Sequence, residues 1–306
     1  MSKKNDPLLF GEVLFDVFED KEAILGGAPF NVAWHLQGFG LQPLFVSRIG
    51  DDKNGNEVMR RMKGWGMSFA GIQKDDRYPT GTVFVTTKKG EPQFNIRSDQ
   101  AYDFINAIDV EKIIANSEYK LIYHGTLALR NDVSCRALNK IIQKTGTKIF
   151  LDINLRKPWW SDKLILQKIT QAQWLKCNSD ELNLIAQVTQ IDAKDTHSLA
   201  CKVCKKFDLK FVIVTLGDKG AFIIDKHDQI SKTRPFPILN LVDTVGAGDG
   251  FSAVAILGIV KNWSKQIILK RSAEFASKIC QTRGAILNDE KYYKRILNKW
   301  KVNDEE

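Results

Sequence analysis

The segment Asp243-Thr-Val-Gly-Ala-Gly-Asp-Gly-Phe251 carries the most chemistry in this chain. Three glycines stand ahead of or within the start of Ser252–Gly258, a small, apolar run that reads as a buried helix. Such a loop turns tightly and aims its N–H groups at one spot. The helix dipole adds positive potential there, which suits an anion, typically phosphate. No Lys-Ser or Lys-Thr follows the glycines, so this is not a Walker A loop, and the GxGxxG spacing of a dinucleotide site is absent. Asp249 within the loop has two readings. It can cap the helix by accepting from its first turn, or act as a general base that takes a proton from an attacking hydroxyl. A carboxylate beside bound phosphate is electrostatically unfavourable, and chemistry would explain its presence.

Three further segments have the same character. In Gly26-Gly-Ala-Pro-Phe-Asn-Val-Ala33 two glycines make a turn, Pro29 suits a first helical position, and an apolar helix runs to Gly38. Asn31 falls in its first turn, to face a ligand or simply to sit in a packed helix. Asn178-Ser-Asp-Glu181 follows an apolar run, with Asn178 and Glu181 on one helix face. They can position a hydrated Mg²⁺, or serve as an ordinary cap with first-turn acids. Thr215-Leu-Gly-Asp-Lys-Gly220 reads as a strand–turn–strand link whose glycines admit close approach of a flat or phosphorylated ligand. A plain hairpin turn explains it equally well.

The elements that must position these residues alternate along the chain. Apolar runs at Leu8–Leu14, Leu44–Val46, Leu121–Tyr123, Lys148–Ile153, Trp174–Cys177 and Phe211–Thr215 read as strands. Helical segments at Phe30–Gln37, Asn54–Lys63, Ser134–Lys144, Asp180–Gln187 and Thr196–Phe207 separate them. That rhythm is the βαβ pattern of a three-layer α/β sheet. Thr82–Thr86 and Pro92–Ile96 flank Lys88-Lys89-Gly90 as a β-hairpin, either a lid or a surface feature. Ligands of open α/β sheets bind outside the carboxyl ends of the strands. The polar residues expected there are Asp16, Asp152 with Asn154, Asn178 and the Thr215–Gly217 turn.

Composition narrows the class. The 306 residues, 43% hydrophobic and 26% charged, have the makeup of a folded globular protein. No apolar run is long enough for a signal peptide or a membrane span, so a soluble, cytoplasmic protein with no membrane partner is expected. Five cysteines are an odd number with no disulfide framework, and Cys201 and Cys204 read as structural thiols. The net charge of +9 admits a nucleic-acid partner or an anionic substrate. No nucleic-acid motif accompanies it, and none is expected to bind. Lys291–Lys301 reads as a solvated amphipathic helix packed by Ile296, Leu297 and Trp300.

Taken in this order, the segments resemble the PfkB (ribokinase-like) family of sugar kinases. Gly26–Ala33 is similar to its N-terminal signature and Asp243–Phe251 to its C-terminal DTxGAGD, with Val245 at the variable position. Asn178–Glu181 resembles its NxxE motif, and Thr215–Gly220 its nucleotide-binding TxGxxG. Gly11–Asp16, Pro79-Thr-Gly81 and Asp152-Ile-Asn-Leu-Arg156 with Pro158-Trp-Trp160 look most like the bacterial fructokinase branch. The resemblance spans about residue 8 to Gly284-Ala285. It implies one αβα kinase domain over 1–306, with a discontinuous lid from about 14–25 and 80–97. Phe84 and Phe94 would supply a lid face, and the resemblance implies a homodimer through the lid.

The same resemblance implies site roles. Asp249 would be the catalytic base, with Gly246, Ala247 and Gly248 as the anion hole. Asp16, Gly27 and Asn31 would hold sugar hydroxyls, and Arg156 the sugar or phosphate. Asn178 and Glu181 would serve Mg²⁺ and the phosphates of ATP. Thr215, Gly217 and Gly220, with Asn178, would line the nucleotide pocket, and Asp243 and Val245 would sit near a K⁺. The phosphoryl group would then be stabilised by backbone N–H groups without a lysine. The implied acceptor is a small sugar, fructose first. Ribose, 2-keto-3-deoxygluconate, a nucleoside or a sugar phosphate are alternatives, the charged ones calling on Arg48, Arg97 or Arg156. A non-catalytic sugar-binding relative is the reading outside enzymes.

Overall fold

Most of the apolar strand runs are buried on both faces, as strands of a helix-covered parallel sheet must be. The computed structural model describes residues 6–19, 22–88, 91–115 and 118–302. The first elements are β1 (Leu8–Phe10), β2 (Leu14–Phe18), β3 (Ala23–Gly26), α1 (Ala28–Gly38), β4 (Leu44–Gly50), α2 (Lys53–Gly64) and β5 (Ile72–Asp75). A hairpin follows, β6 (Gly81–Lys88) and β7 (Glu91–Ile96). Next come α3 (Ala107–Ile114), β8 (Ile122–His124), α4 (Asp132–Thr145), β9 (Ile149–Asp152), α5 (Asp162–Gln171) and β10 (Trp174–Asn178). After these stand α6 (Ser179–Thr189), α7 (Thr196–Lys206), β11 (Phe211–Thr215), β12 (Ala221–Ile224) and β13 (Ile230–Thr233). Three helices complete the series: α8 (Ala247–Val260), α9 (Lys265–Ile279) and α10 (Glu290–Val302).

Nine strands form one sheet in the order β13-β12-β11-β10-β9-β8-β1-β4-β5. All its pairs are parallel except β11–β12 and β12–β13. Register divides the core into two layers. Leu9 lies beside Phe45 and Tyr123, and these pack with α1, α8, α9 and α10. Leu8 and Phe10 point the other way and pack with α3 through α7. The three-layer expectation holds, and α10 buries Ile296 and Trp300 as anticipated. Cys201 and Cys204 are buried free thiols on α7.

The run Leu8–Leu14 is not one strand. It breaks after Phe10, and Leu14 begins β2 in a second sheet of order β3-β2-β6-β7. The crossing residues Glu12 and Val13 lie against Gly27, whose φ is +107 and whose Cβ, if present, would fall 2.7 Å from the Glu12 carbonyl oxygen. Only glycine allows that approach together with that backbone conformation. Asp16 therefore stands within β2, facing Ile24 and Val83, and not at the end of a main-sheet strand.

The second sheet is the expected lid, with β6 and β7 antiparallel and β2 alongside β6. The turn anticipated at Lys88-Lys89-Gly90 lies from Lys89 on outside the described residues. Phe84 and Phe94 do not share a face. Val85 pairs with Phe94, so Phe94 joins Val83 and Ile96 toward the main sheet, while Phe84 turns away beneath the Arg97 guanidinium. At the lid base Arg130 binds Asp103 through two bonds of 2.7 and 2.8 Å and holds the Arg97 carbonyl. Trp159 lies flat against that guanidinium, 4.2 Å from ring centroid to its carbon. The Pro158-Trp-Trp160 segment thus braces the lid.

Candidate active site

α8 is apolar all round and buried from Gly250 to Gly258, so packing fixes where its first turn sits. Gly246 is the N-cap, at φ +79. A Cβ there would fall 2.3 Å from the Ala285 Cβ, so the loop rests directly on Ala285. Ala285 is held from behind. Its carbonyl lies 3.0 Å from His35 Nε2, and His35 Nδ1 lies 2.7 Å from the Tyr293 hydroxyl. Burial lowers His35 to about 4, so the ring is neutral. A carbonyl only accepts, so Nε2 carries the proton and Nδ1 accepts from Tyr293.

Asp249 does not cap the helix. No side chain caps α8, and Asp249 Oδ2 accepts from Asn31 Nδ2 at 2.8 Å. This bond joins the two glycine-rich segments across the site. Burial pushes the Asp249 carboxyl up to about 6; the charge of Asp152 adds, while the Asn31 bond, Lys176 and Arg156 oppose. The carboxylate is therefore available near neutral pH and a better base than an exposed aspartate.

A cavity of about 400 Å³ opens beside Asp249, beneath the lid residues Val83, Phe94 and Ile96. Asp16, Gly27, Asn31, Arg156, Val245, Gly246 and Gly248 all line it. Its polar wall is rich in acceptors. Asn31 Oδ1 and Glu12 Oε2 are buried with no protein partner. Burial raises Glu12 to about 7, with Asp249 adding, and raises Asp16 to about 6 against the pull of Arg156. Ala247 lies in the same helical turn without lining the cavity. Of the three arginines considered, only Arg156 reaches it; Arg48 is tied to Asp75 at 2.7 Å and Arg97 to the lid.

Glu12 and Lys176 also line the cavity and were missed. Lys176 corrects the expectation of a site without lysine. Its signal was a lone charge inside the apolar strand Trp174–Cys177, which requires a buried partner.

The remaining residues stand further along the strand ends. Asn178 and Thr215 are neighbours in register on β10 and β11, followed by Gly217 at φ +61 and Gly220 at φ +92. Asn178 and Glu181 form a closed capping box: Asn178 Oδ1 takes the Glu181 N–H, and Glu181 Oε2 the Asn178 N–H, each at 2.8 Å. Glu181 Oε1 accepts from the Leu155 N–H. Among the described residues no three His, Cys, Asp or Glu side chains converge on a metal position. This pair fits a metal only through its waters. Asp243 borders an adjoining cavity with Asp16, and its Oδ1 takes the Val245 N–H at 2.9 Å.

Comparison with known proteins gives a consistent picture. The model of the pfkB family carbohydrate kinases matches residues 17–291. Fructokinase-2 of Oryza sativa is 28% identical, over 90% of this chain and 88% of its own. The crystal structure of an uncharacterized sugar kinase from Pyrococcus horikoshii in complex with ATP superposes with TM-score 0.75 at 26% identity, over 91% and 93% of the two chains. A Xylella fastidiosa fructokinase with bound ATP shares the fold, with TM-score 0.81 at 16% identity over 97% and 100%.

Proposed function

Because the chain belongs to the pfkB family of carbohydrate kinases, we propose that it transfers the γ-phosphate of ATP to a hydroxyl of a small neutral sugar, fructose first. One observation carries the reading: Asp249, bonded to Asn31 and half-buried, stands in the first turn of α8 within a lid-covered cavity. In this reading the primary hydroxyl of the sugar donates its proton to Asp249 as its oxygen attacks the γ-phosphorus. The P–O bond to the β-phosphate breaks, and its electrons leave on ADP. The N–H groups of the Gly246–Gly248 turn stabilise the charge on the phosphoryl group in flight. Val83, Phe94 and Ile96 exclude water and so suppress hydrolysis.

The acceptor wall supports a polyol. Glu12, Asp16 and Asn31 Oδ1 offer hydrogen-bond acceptors to hydroxyl donors, and a carboxylate or phosphate on the sugar would meet their repulsion. Asn178, Thr215, Gly217 and Gly220 receive the nucleotide at the ends of β10 and β11. Asn178 and Glu181 would hold a Mg²⁺ through its waters, and that ion would supply charge neutralisation at the ATP phosphates. Asp243 and the Val245 carbonyl are the groups we assign to a K⁺. Arg156 is the one observation favouring the second reading, an acidic acceptor such as 2-keto-3-deoxygluconate.

Sugar-dependent ADP release from Mg·ATP decides between them. Fructose is expected to exceed 2-keto-3-deoxygluconate in kcat/KM by about 10²-fold or more, the scale of one uncompensated buried charge. Equal or reversed ratios would transfer the assignment to the acid. The pH profile supplies a second test. Asp249 must be ionised to accept a proton, and its pKa lies at about 6. We expect kcat/KM to rise through pH 6 and fall about tenfold per pH unit below it. A flat profile from pH 5 to 8 would count against the base.

A further inference from the structure

β10 directs Trp174 and Lys176 toward α8, while Leu175 and Cys177 enter the opposite core. Lys176 is only 7% exposed, an expensive place for an ammonium. It pairs at 2.8 Å with Asp152, its register neighbour on β9. The same Asp152 oxygen accepts from Ser252 at 2.6 Å, and Ser252 also bonds the Gly248 carbonyl at 3.0 Å. The ammonium is thereby fixed under the first turn of α8. A Cβ on Gly248 would lie 3.6 Å from its Nζ. Of the three donors an ammonium carries, Asp152 takes one, and no other described residue accepts from it. Lys176, Gly248 and Asp249 border the same cavity.

We propose that Lys176 is a catalytic residue: anchored on Asp152, its ammonium donates to an oxygen of the transferring phosphoryl group beside the Gly248 turn. The proposal rests on the kinase reading. Lys176 keeps its proton throughout; the hydroxyl proton goes to Asp249 and the breaking P–O bond leaves its electron pair on ADP. A fixed cation here offsets the charge of Asp249 and Asp152 that would otherwise repel the incoming phosphate. It also holds that group beside the base, adding a charged donor to the backbone N–H groups.

The test compares Lys176→Met with the double variant Lys176→Met, Asp152→Asn, which leaves no unpaired buried charge and so keeps the question open if the single variant fails to fold. Two readouts are taken: sugar-dependent ADP release, and calorimetric binding of inorganic phosphate. Both variants are expected to lose about 10²-fold or more in kcat, with sugar KM within about threefold. Phosphate binding should weaken about tenfold. If the double variant turns over and binds phosphate within about threefold of the parent, the ion pair is structural and the proposal falls. Absence of sugar-dependent ADP release in the parent overturns the kinase reading instead, while the phosphate arm still reads Lys176.

Discussion

Asp249→Asn is expected to lower turnover by about 10³- to 10⁴-fold while ATP affinity stays within about threefold. The substitution keeps the size of the side chain and an oxygen for Asn31 Nδ2, 2.8 Å away in the parent. It removes only the capacity to take a proton. The raised pKa of about 6 sharpens the expectation, because the parent carboxylate is both ionised and comparatively basic at neutral pH. Steady-state assays with saturating sugar and nucleotide titration would separate the two parameters. Near-parental turnover would remove Asp249 from the chemistry.

Gly246→Ala should damage stability and turnover together. Gly246 sits at φ +79, and its added Cβ would fall 2.4 Å from the Ala285 Cα and 2.3 Å from its Cβ. Ala285 cannot give way easily, because His35 holds its carbonyl from behind. Backbone strain and overlap together cost about 2–4 kcal/mol, and the displaced first turn should reduce kcat by about 10²-fold or more. Gly217→Ala is the matched comparison. It shares the positive φ, at +61, but nothing lies within 4 Å of its Cβ. Thermal melts should therefore show a much larger drop for Gly246→Ala, and equal melting temperatures would place the cost in φ alone.

Residues whose role is set by local grammar were legible. The glycine turns of α1 and α8, the lid hairpin and the alternating strand runs all follow from turn chemistry and periodicity. Asp249 was legible as a candidate, but setting aside the cap needed Asn31, 218 positions away in the chain. The break at Gly11 was hidden because apolar residues flank Gly11-Glu12 on both sides, and a buried parallel strand and two short strands in different sheets read alike. Phe84 and Phe94 were assigned one face because hairpin register, which pairs Val85 with Phe94, is not written in composition. Lys176, Glu12 and Ser252 needed tertiary structure, since each takes its meaning from a partner on another element. Asn178 and Glu181 satisfied the capping reading completely, and that reading does not conflict with a water-mediated one.

The neutral His35 also determines what a titration of this enzyme can report. Its ring takes up a proton only near pH 4, well below the range in which Asp249, Asp16 and Glu12 change charge. Protonation would remove the Nδ1 acceptor that Tyr293 uses but keep the Nε2–H bond to the Ala285 carbonyl, so the support behind Ala285 is pH-silent across the working range. Between pH 5 and 8 the scaffold is electrically quiet at this point. Activity changes there belong to the carboxyls of the cavity, and charging of the buried His35 ring, with loss of its Nδ1 acceptor for Tyr293, enters only near pH 4 and would register as unfolding.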